Sequence, residues 1–460
     1  MSHANVWWWG SLLAALGSAS CYTASMPGRE EVVEQLSSEL ATEPAWAPAS
    51  AAGEASDAFG ERTGVLWSDG LSELEAMDAA LGDHPEWMAT LLQLDVGRMD
   101  LLQAGKIHNP LVQLLLPVGS KQFEGTMFTA MSDIWLRRDR LEAAELDGRV
   151  LAERIMSTGL QRVTDARLAF HRARFAHERS MLLAERAQVE NERLALIQRA
   201  IDLGELGGVE LATARIETAS VDALRVQAEN DATIQWNVLL AFVGETPGTR
   251  EPAFEEPARH GARADELTGD APPSAEDLVR QALISRHEVR GATLEAAAAA
   301  RRAGIARKDF MPINLIVDAN DIGGSGFEIG PGLQLQLPSF DLGDARHGRA
   351  KADLTLRLAV QRAVAFTVRS QVLQRLEQLR SQERLVAAAE RQLEGVEARL
   401  EIAYSSRKAA GDANELDGLM FQREVLAAQD QVLAARLARA TAIVDLESAL
   451  GFRIESPTRP

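Results

Sequence analysis

Two short stretches in the second half of the chain alternate apolar and polar residues around a glycine-rich turn at residues 323–326. A period of two predicts strands with one apolar and one polar face. A less regular pattern predicts two more strands, near Leu111–Pro117 and Gln122–Ile134. In the clearer pair, Ile313, Leu315, Val317 and Ala319 alternate with Asn314 and Asp318, and then Leu333, Leu335 and Leu337 alternate with Gln334 and Gln336.

A second pattern, with apolar residues every seven positions, predicts very long helices. It appears within a proline-free stretch from Ile134 to Leu203 and again after residue 370. Heptad spacing favours coiled-coil packing, and sixty residues of helix would extend about 90 Å. We expect a glycine turn to fold each long helix back as a hairpin. The heptad positions are Leu182, Val189, Leu196 and Leu203, then Val372, Leu379, Val386, Leu393 and Leu400.

The two halves of the chain show the same order of features at nearly constant spacing. His287 follows Pro85 by 202 residues (287 − 85), and Gly411 follows Gly204 by 207 (411 − 204). Such offsets indicate internal duplication. They predict a first repeat over 66–244 and a second over 274–452, each with a helix, two strands and a long helical hairpin. A proline-rich linker, 245–273, separates them, and a tail covers 453–460.

In the second repeat, the first helix is expected to start at a capping box. Ser274 precedes Asp277 by three residues, which is the spacing of such a cap. The apolar pattern then continues through Val289 into an alanine-rich stretch as far as Ala306. One helix is therefore predicted over this whole segment.

The N-terminal segment has the pattern of a secreted protein. An apolar run from Val6 to Leu16 predicts a signal peptide over residues 1–20. The residues from Leu16 to Cys21 resemble a bacterial lipobox, which would make Cys21 a lipidation site. An ordinary signal peptide followed by an incidental cysteine is the alternative. Residues 21–65, rich in Ala, Pro, Ser and Glu, predict an extended leader.

Composition narrows the classes of function. A net charge of −19 disfavours nucleic-acid binding, and the single cysteine excludes internal disulfides and cysteine-based zinc sites. No later segment is apolar enough for a membrane-spanning helix, so strands would have to span any membrane. His171 and His177 lack the spacing of a zinc-protease motif, and the chain shows neither a phosphate loop nor a nucleophile elbow. We therefore expect no catalytic residues, metal or cofactor.

The predicted fold is mainly α with a small β part: duplicated long helical hairpins and about four strands per chain. Four strands cannot close a barrel, because about eight is the lower limit. If the strands lie in lipid, other copies of the chain must complete the sheet, and dimers, trimers and tetramers all remain open at this point. The polar strand residues would face a lumen, or alternatively the solvent of a periplasmic sheet.

The order of these features resembles the TolC-like family of outer-membrane efflux proteins over about residues 70–452. The resemblance rests on Pro312 before the strand, the run from Leu335 to Gly343 after it, and the hairpin end with Tyr404, Gly411 and Asp417. It implies a homotrimer with a twelve-stranded transmembrane β-barrel in outer-membrane lipid and a coiled-coil tunnel in the periplasm. The implied function is passive export of small molecules or ions, in partnership with an inner-membrane pump and a periplasmic adaptor.

The resemblance also suggests roles for particular residues. Gly204 and Glu210 in the first repeat, and Gly411 and Asp417 in the second, fit the family's hairpin ends, which meet the adaptor. Asp417 falls where the family places an acidic ring that closes the lumen. A plain account is that Asp417 stabilises the start of a helix. Asn314, Asp318, Gln334 and Gln336 would face the lumen.

Another class of function remains open from the residues. A periplasmic coiled-coil scaffold or adaptor lipoprotein without a pore would also contain heptads and a possible lipid anchor. An adaptor would carry one helical hairpin, whereas this chain predicts two, each with a strand pair. The efflux channel is therefore the leading hypothesis.

Overall fold

The computed structural model describes eleven stretches of the chain. They are residues 26–40, 70–82, 84–116, 123–246, 248, 250–254, 274–309, 313–321, 327–335, 342–410 and 415–451. The predicted signal peptide, Cys21 and the tail lie outside these residues. Within the described part, no helix combines the length and apolarity needed to cross a membrane.

The two halves of the chain share the order of two helices, two strands and two long helices, and the first half has two further helices, Arg29–Leu40 and Ser132–Trp135. The first half contains helices α1 (Arg29–Leu40), α2 (Glu73–Leu81) and α3 (Pro85–Ala104), strands β1 (Leu111–Leu115) and β2 (Glu124–Ala130), and helices α4 (Ser132–Trp135), α5 (Arg137–Asp202) and α6 (Gly208–Phe242). The second half contains α7 (Ala275–Ser285), α8 (His287–Lys308), β3 (Ile313–Asp321), β4 (Phe327–Leu335), α9 (Asp344–Ala410) and α10 (Glu415–Leu450). The mainly helical fold with four strands confirms the predicted fold class.

The long helices α5 and α9 contain 66 and 67 residues. Helices of globular proteins average about 11–12 residues, so these are rods rather than the helices of a compact core. Their sequences are rich in Ala, Leu, Glu, Gln and Arg, which lose little side-chain freedom in a helix. Pairs four residues apart, such as Arg138–Glu142 and Arg174–Glu178, add local ion pairs along α5.

The contacts divide the chain into two units. One unit consists of residues 1–33, 89–157 and 286–367 and contains the sheet. Its four strands are antiparallel in the order β1-β2-β3-β4, so the central pair joins a strand from each half of the chain. The side chain of His287 is buried in this unit, with Nδ1 2.6 Å from Oε2 of Glu153.

The other unit consists of residues 34–88, 158–285 and 368–460. Its core packs α5 against α6 around Phe170, Trp236 and Leu240. A short extended segment covers this core: Leu71 forms a parallel bridge with Phe254, and Trp236 Nε1 donates to the carbonyl of Arg250 at 2.9 Å. The ring of Phe254 packs edge-on against Trp236 and Phe170.

A buried ion cluster crosses the same unit. The Arg167 guanidinium on α5 donates to Glu73 of α2 at 2.5 Å and also to Glu447 of α10. Burial alone would raise the pKa of Glu73, but the nearby His171, with Nε2 3.7 Å away, and Arg167 hold that pKa far below its usual range. Burial would likewise lower the pKa of Arg167, and the two carboxylates outweigh it and raise that pKa. The cluster therefore stays charged when buried.

One prediction about the N-terminal leader is wrong. Residues 29–40, which were predicted to belong to an extended leader, form the helix α1. Its apolar positions recur every three to four residues and are buried, with Leu36 fully enclosed. Leu36 lies beside Trp87 and Gly159, where a Cβ on the glycine would be 2.8 Å from Leu36 Cδ2 and 2.9 Å from Trp87 Cη2. The absence of a side chain at Gly159 makes room for both.

Two element boundaries also differ from the sequence predictions. The second strand of the first half ends at Ala130 instead of continuing to Ile134, because Asp133 in α4 binds Arg140 at 2.9 Å and His108 at 2.6 Å. The predicted cap at Ser274 is present as a side-chain cap, in which its hydroxyl accepts from the Asp277 N–H at 3.1 Å. The helix that follows stops at Ser285, since Arg286 is extended, and a second helix begins at His287.

The Gly159 contact can be tested by adding one methyl group. We expect Gly159→Ala to lower the free energy of unfolding by about 1–3 kcal/mol, because the Trp87 ring cannot move away easily. Gly395 on α9 has open space around it, so Gly395→Ala should raise stability by up to about 1 kcal/mol through helix propensity. Thermal unfolding followed by circular dichroism in detergent measures both. A shift of both variants in the same direction would contradict this packing.

The buried carboxylate predicts a specific pH dependence. A carboxyl whose pKa is lowered by folding stabilises the fold above its unfolded value of about 4.3, and this contribution is lost as pH falls below that value. Glu73→Gln should therefore lower stability by about 2 kcal/mol at pH 7, through loss of a charged hydrogen bond. The difference from wild type should shrink between about pH 4 and 3. Glu185→Gln, at an exposed position of α5, the helix that carries Arg167, is the matched control. A deficit that is constant down to pH 3 would refute the account.

Candidate functional site

One face of the four-stranded sheet is almost entirely apolar. Residues opposite each other in an antiparallel pair point to the same side, so the strand register identifies both faces. The apolar side chains are not covered within the described chain: Leu333 is 65% exposed and Ile329 is 63% exposed. The described side chains of this face, from β1 to β4, belong to Val112, Leu114, Met127, Thr129, Ile313, Leu315, Val317, Ala319, Ile329, Pro331, Leu333 and Leu335, and Gly125 lies among them.

The opposite face carries all the polar strand residues that the sequence singled out and that the structure describes. Asn314 and Gln334 are cross-strand partners, and the Asn314 Nδ2 donates to the Gln334 Oε1 at 3.2 Å. Asp318 lies on the same side of β3, four residues after Asn314. Gln336 lies outside the described residues. The structure thus brings three of the four predicted lumen residues together on one surface.

The first half adds polar residues to this face that sequence reasoning missed. Gln113 pairs with Thr126, and Thr126 pairs with Asp318, so these side chains form one row across three strands. Glu124 of β2 lies in the next row, beside Asn320 and Glu328 of the second half. The alternation of Gln113 with Val112 and Leu114 was a signal, but it covers only three positions and does not reveal the partner strand.

The outer edges of the sheet are open within the described chain. β1 pairs only with β2, and β4 pairs only with β3. An open edge presents a row of backbone N–H and C=O groups without partners. A sheet with one exposed apolar face and two open edges is incomplete as a single chain.

The hairpin end of the first half is closed by a glycine. Gly204 has a φ of +80°, a conformation in which residues with a side chain are strained. Its N–H donates to the carbonyl of Ile201, and the N–H of Glu205 donates to the carbonyl of Ala200, both at 2.8 Å. These two bonds form a Schellman cap at the end of α5. The predicted turn at Gly204 is therefore present.

Glu210 lies in the first turn of α6, which begins at Gly208. The helix has no side-chain cap, and the Glu210 carboxylate folds back toward Gly207. An acid in this position interacts favourably with the positive end of the helix dipole. Stabilisation of the helix start is therefore sufficient to explain an acid at Glu210. Its side chain is exposed at the hairpin end.

The second hairpin end joins α9, which ends at Ala410, to α10, which begins at Glu415. Gly411 and the rest of the turn lie outside the described residues. Asp417 and Glu415 both lie in the first turn of α10. Asp417 is half-buried, whereas Glu415 is exposed. The position of Asp417 thus agrees with a helix-start acid, and nothing in its geometry tests a lumenal role.

Beside this second hairpin end, α5, α9 and α10 enclose an open cavity of about 920 Å³. Four carboxylates lie around it, together with one guanidinium, that of Arg199, and the apolar side chains of Leu196, Leu419 and Phe421. The carboxylates are Glu192, Glu397, Glu401 and Glu415. Across the described residues, no group of three or more His, Cys, Asp or Glu is arranged to hold a metal ion.

Ion pairs connect the two hairpins close to these ends. Glu190 of α5 is 1% exposed and lies 3.4 Å from Arg193 of the same helix and 3.4 Å from Arg423 of α10. Both arginines also bind Glu217 of α6, Arg193 through Nη1 at 2.8 Å and Arg423 through Nη1 at 3.2 Å. Two carboxylates and two guanidinium groups thus balance one another where three helices meet.

Comparison with known proteins agrees with the geometry. Residues 278–452 match the sequence profile of the family described as "Outer membrane efflux protein". No curated protein matches the chain in sequence. The matched segment covers α7 from Leu278, α8, both strands of the second half and the second hairpin.

Solved structures with the same fold extend the likeness to both halves. The outer-membrane channel OprN has a TM-score of 0.67 and 17% identity, covering 94% of this chain and 98% of its own. The outer membrane protein VceC of Vibrio cholerae has a TM-score of 0.65 and 19% identity, covering 83% of this chain and 97% of its own. The MtrE outer membrane channel of Neisseria gonorrhoeae has a TM-score of 0.65 and 17% identity, covering 84% of this chain and 90% of its own.

The resemblance noted from the sequence is thereby confirmed by independent comparisons of sequence and fold. Residues 278–452 match the outer membrane efflux protein family, and across both of its halves the chain has the fold of solved outer-membrane proteins such as OprN and VceC.

Proposed function

We propose that this chain is one subunit of an outer-membrane channel in a tripartite efflux or secretion system. It acts as a passive conduit for small molecules or ions that an inner-membrane pump exports. The observation that carries the proposal is the two-faced sheet, with an apolar face uncovered on one side and carboxylates and amides on the other. Such strands suit lipid outside and water inside a transmembrane barrel.

The open edges call for further copies of the same chain. In lipid, each unsatisfied backbone group costs several kcal/mol, so a four-stranded sheet must be closed. Cyclic association of identical chains pairs the outer edge of β1 with the outer edge of β4 in the next copy. Three copies, as the family resemblance implies, give a twelve-stranded barrel, which is above the lower limit for closure.

The helical hairpins are proposed to continue the conduit into the periplasm. Salt bridges such as Arg179–Asp430, at 2.9 Å, hold the first hairpin to the second within one chain. A periplasmic adaptor would meet the hairpin ends at Gly204, Glu210, Gly411 and Asp417, and the pump would lie beyond it. Cys21, if lipidated, would add a membrane anchor at the start of the mature chain.

Two other classes of function receive less support. A periplasmic scaffold or adaptor without a pore has no use for a sheet whose apolar face is left uncovered. An enzyme would need a catalytic site, and transport through a conduit requires none. Both the sequence profile and the solved relatives concern outer-membrane proteins.

The sheet faces can be tested with adjacent cysteine substitutions in a Cys21→Ser background. Val317→Cys and Asp318→Cys place one label on each face of β3. In reconstituted vesicles, a fluorophore at 317 should be quenched by nitroxide lipids and one at 318 by aqueous iodide. Leu333→Cys and Gln334→Cys on β4 provide a second matched pair. Equal aqueous quenching at all four positions would place the sheet in water and sink the channel proposal.

We further propose that Asp417 contributes to closing the lumen. Three Asp417 carboxylates around a closed axis would repel one another and attract cations, and a cation held between them would obstruct the lumen. Asp417→Asn should raise the single-channel conductance of the reconstituted protein several-fold.

The matched control for Asp417 is Glu415→Gln in the same helical turn. If Asp417 acts only as a helix-start acid, both variants should lose about 0.3–1 kcal/mol of stability and leave conductance unchanged. That result would remove Asp417 from the gate while leaving the channel itself intact.

A further inference from the structure

The polar face of the sheet contains one row of apolar residues. Leu111 lies opposite Phe128, and Phe128 lies opposite Ile316, so the three side chains form a continuous band across β1, β2 and β3. Gly332 completes the row on β4, and its missing side chain leaves space beside Ile316. This band interrupts a surface that is otherwise mostly polar.

The band is not part of a core. Leu111 is 67% exposed, and Phe128 and Ile316 are half-buried among their strand neighbours. Core packing therefore does not explain why apolar residues occupy these positions. Leu111, Phe128 and Ile316 share a face with Asp318 and Gln334, so all of these side chains are in the same environment.

The surroundings of the band are negatively charged. The next row in one direction contains Asp318 with Gln113 and Thr126, and the row after it contains Glu124 and Glu328. Rows on one face are about 7 Å apart, so the carboxylates lie within one or two side-chain lengths of the band. The four described strands contain no lysine or arginine to neutralise them.

We propose that this band is a binding and selectivity site for amphipathic organic cations. The inference rests on the proposed function, in which the polar face lines the lumen. Repeated in every copy, Leu111, Phe128 and Ile316 form an apolar ring with carboxylates on one side of it. An organic cation places its apolar body on the ring and its charge toward Asp318, Glu124 and Glu328.

Physical chemistry separates this class of solute from small inorganic ions. A hydrated metal ion or K⁺ finds no polar ligands at the ring, so it has little reason to bind there. An organic cation gains contact area there, and the face of the Phe128 ring attracts a positive charge. The site therefore retains apolar cations for a short time and binds small inorganic ions only weakly.

The test uses the full-length protein in planar bilayers, with K⁺ as the conducted ion and tetrabutylammonium as the blocker. Phe128→Thr and Ile316→Thr make the ring polar while keeping residues that favour strands. We expect the Kd for tetrabutylammonium block to increase about tenfold while K⁺ conductance changes little. Tetramethylammonium, which lacks the apolar body, should block weakly in all proteins.

Val317→Thr, on the lipid-facing side of the same strand, is the matched control and should change neither value. Unchanged block in the ring variants, with a conducting wild type, would overturn the inference and leave the channel proposal standing. A wild type that never conducts, together with aqueous quenching on both sheet faces, would overturn the channel proposal and the ring with it.

Discussion

Backbone N–H and C=O groups along the outer edges of β1 and β4 have no neighbouring strand within the described chain. Hydrogen bonding of these groups is the constraint on which the rest of the account depends. In water the edges would be sites for aggregation, and in lipid they would be prohibitively unfavourable. Pairing between copies satisfies them and simultaneously gives the uncovered apolar face a lipid environment. The pairing of strand edges between copies therefore links the two-faced sheet to the oligomer and to the conduit.

The long helices also need partners, because a single long helix buries few of its own side chains. Here the helices are connected through buried charges as well as apolar side chains. Arg167 is held between Glu73 and Glu447, and Glu190 lies between two arginines close to the hairpin ends. Buried ion pairs are weak sources of net stability, but breaking one is strongly unfavourable. They therefore specify which helices are neighbours and in which register they pack.

Sequence patterns predicted some of these features and missed others for identifiable reasons. The alternation from Ile313 to Ala319 located β3 because each of its faces has a distinct environment. The heptads of α9 were correct at Val372 and Leu379, which are fully buried. On α5 the predicted Val189 is buried, but the seam also includes Leu183, Glu190 and Ile197, each one residue beyond the predicted series, and Leu203 is 75% exposed. Because Glu190 is charged, a search for apolar residues every seven positions does not detect this seam.

Features that depend on contacts distant in sequence could not be read in advance. The helix α1 depends on packing beside Trp87 and Gly159, and the pairing of β2 with β3 joins residues nearly two hundred positions apart. The apolar band at Phe128 becomes visible only when the register of all four strands is known. Gly204 was predictable because a helix reversal needs a residue that tolerates positive φ.

The number of chains in the membrane-extracted assembly tests the central claim most directly. Native mass spectrometry of the detergent-solubilised protein should give a mass of three chains, together with slow hydrogen exchange along both β1 and β4. A stable single chain, with the backbone amides of the two edge strands exchanging freely, would contradict the account.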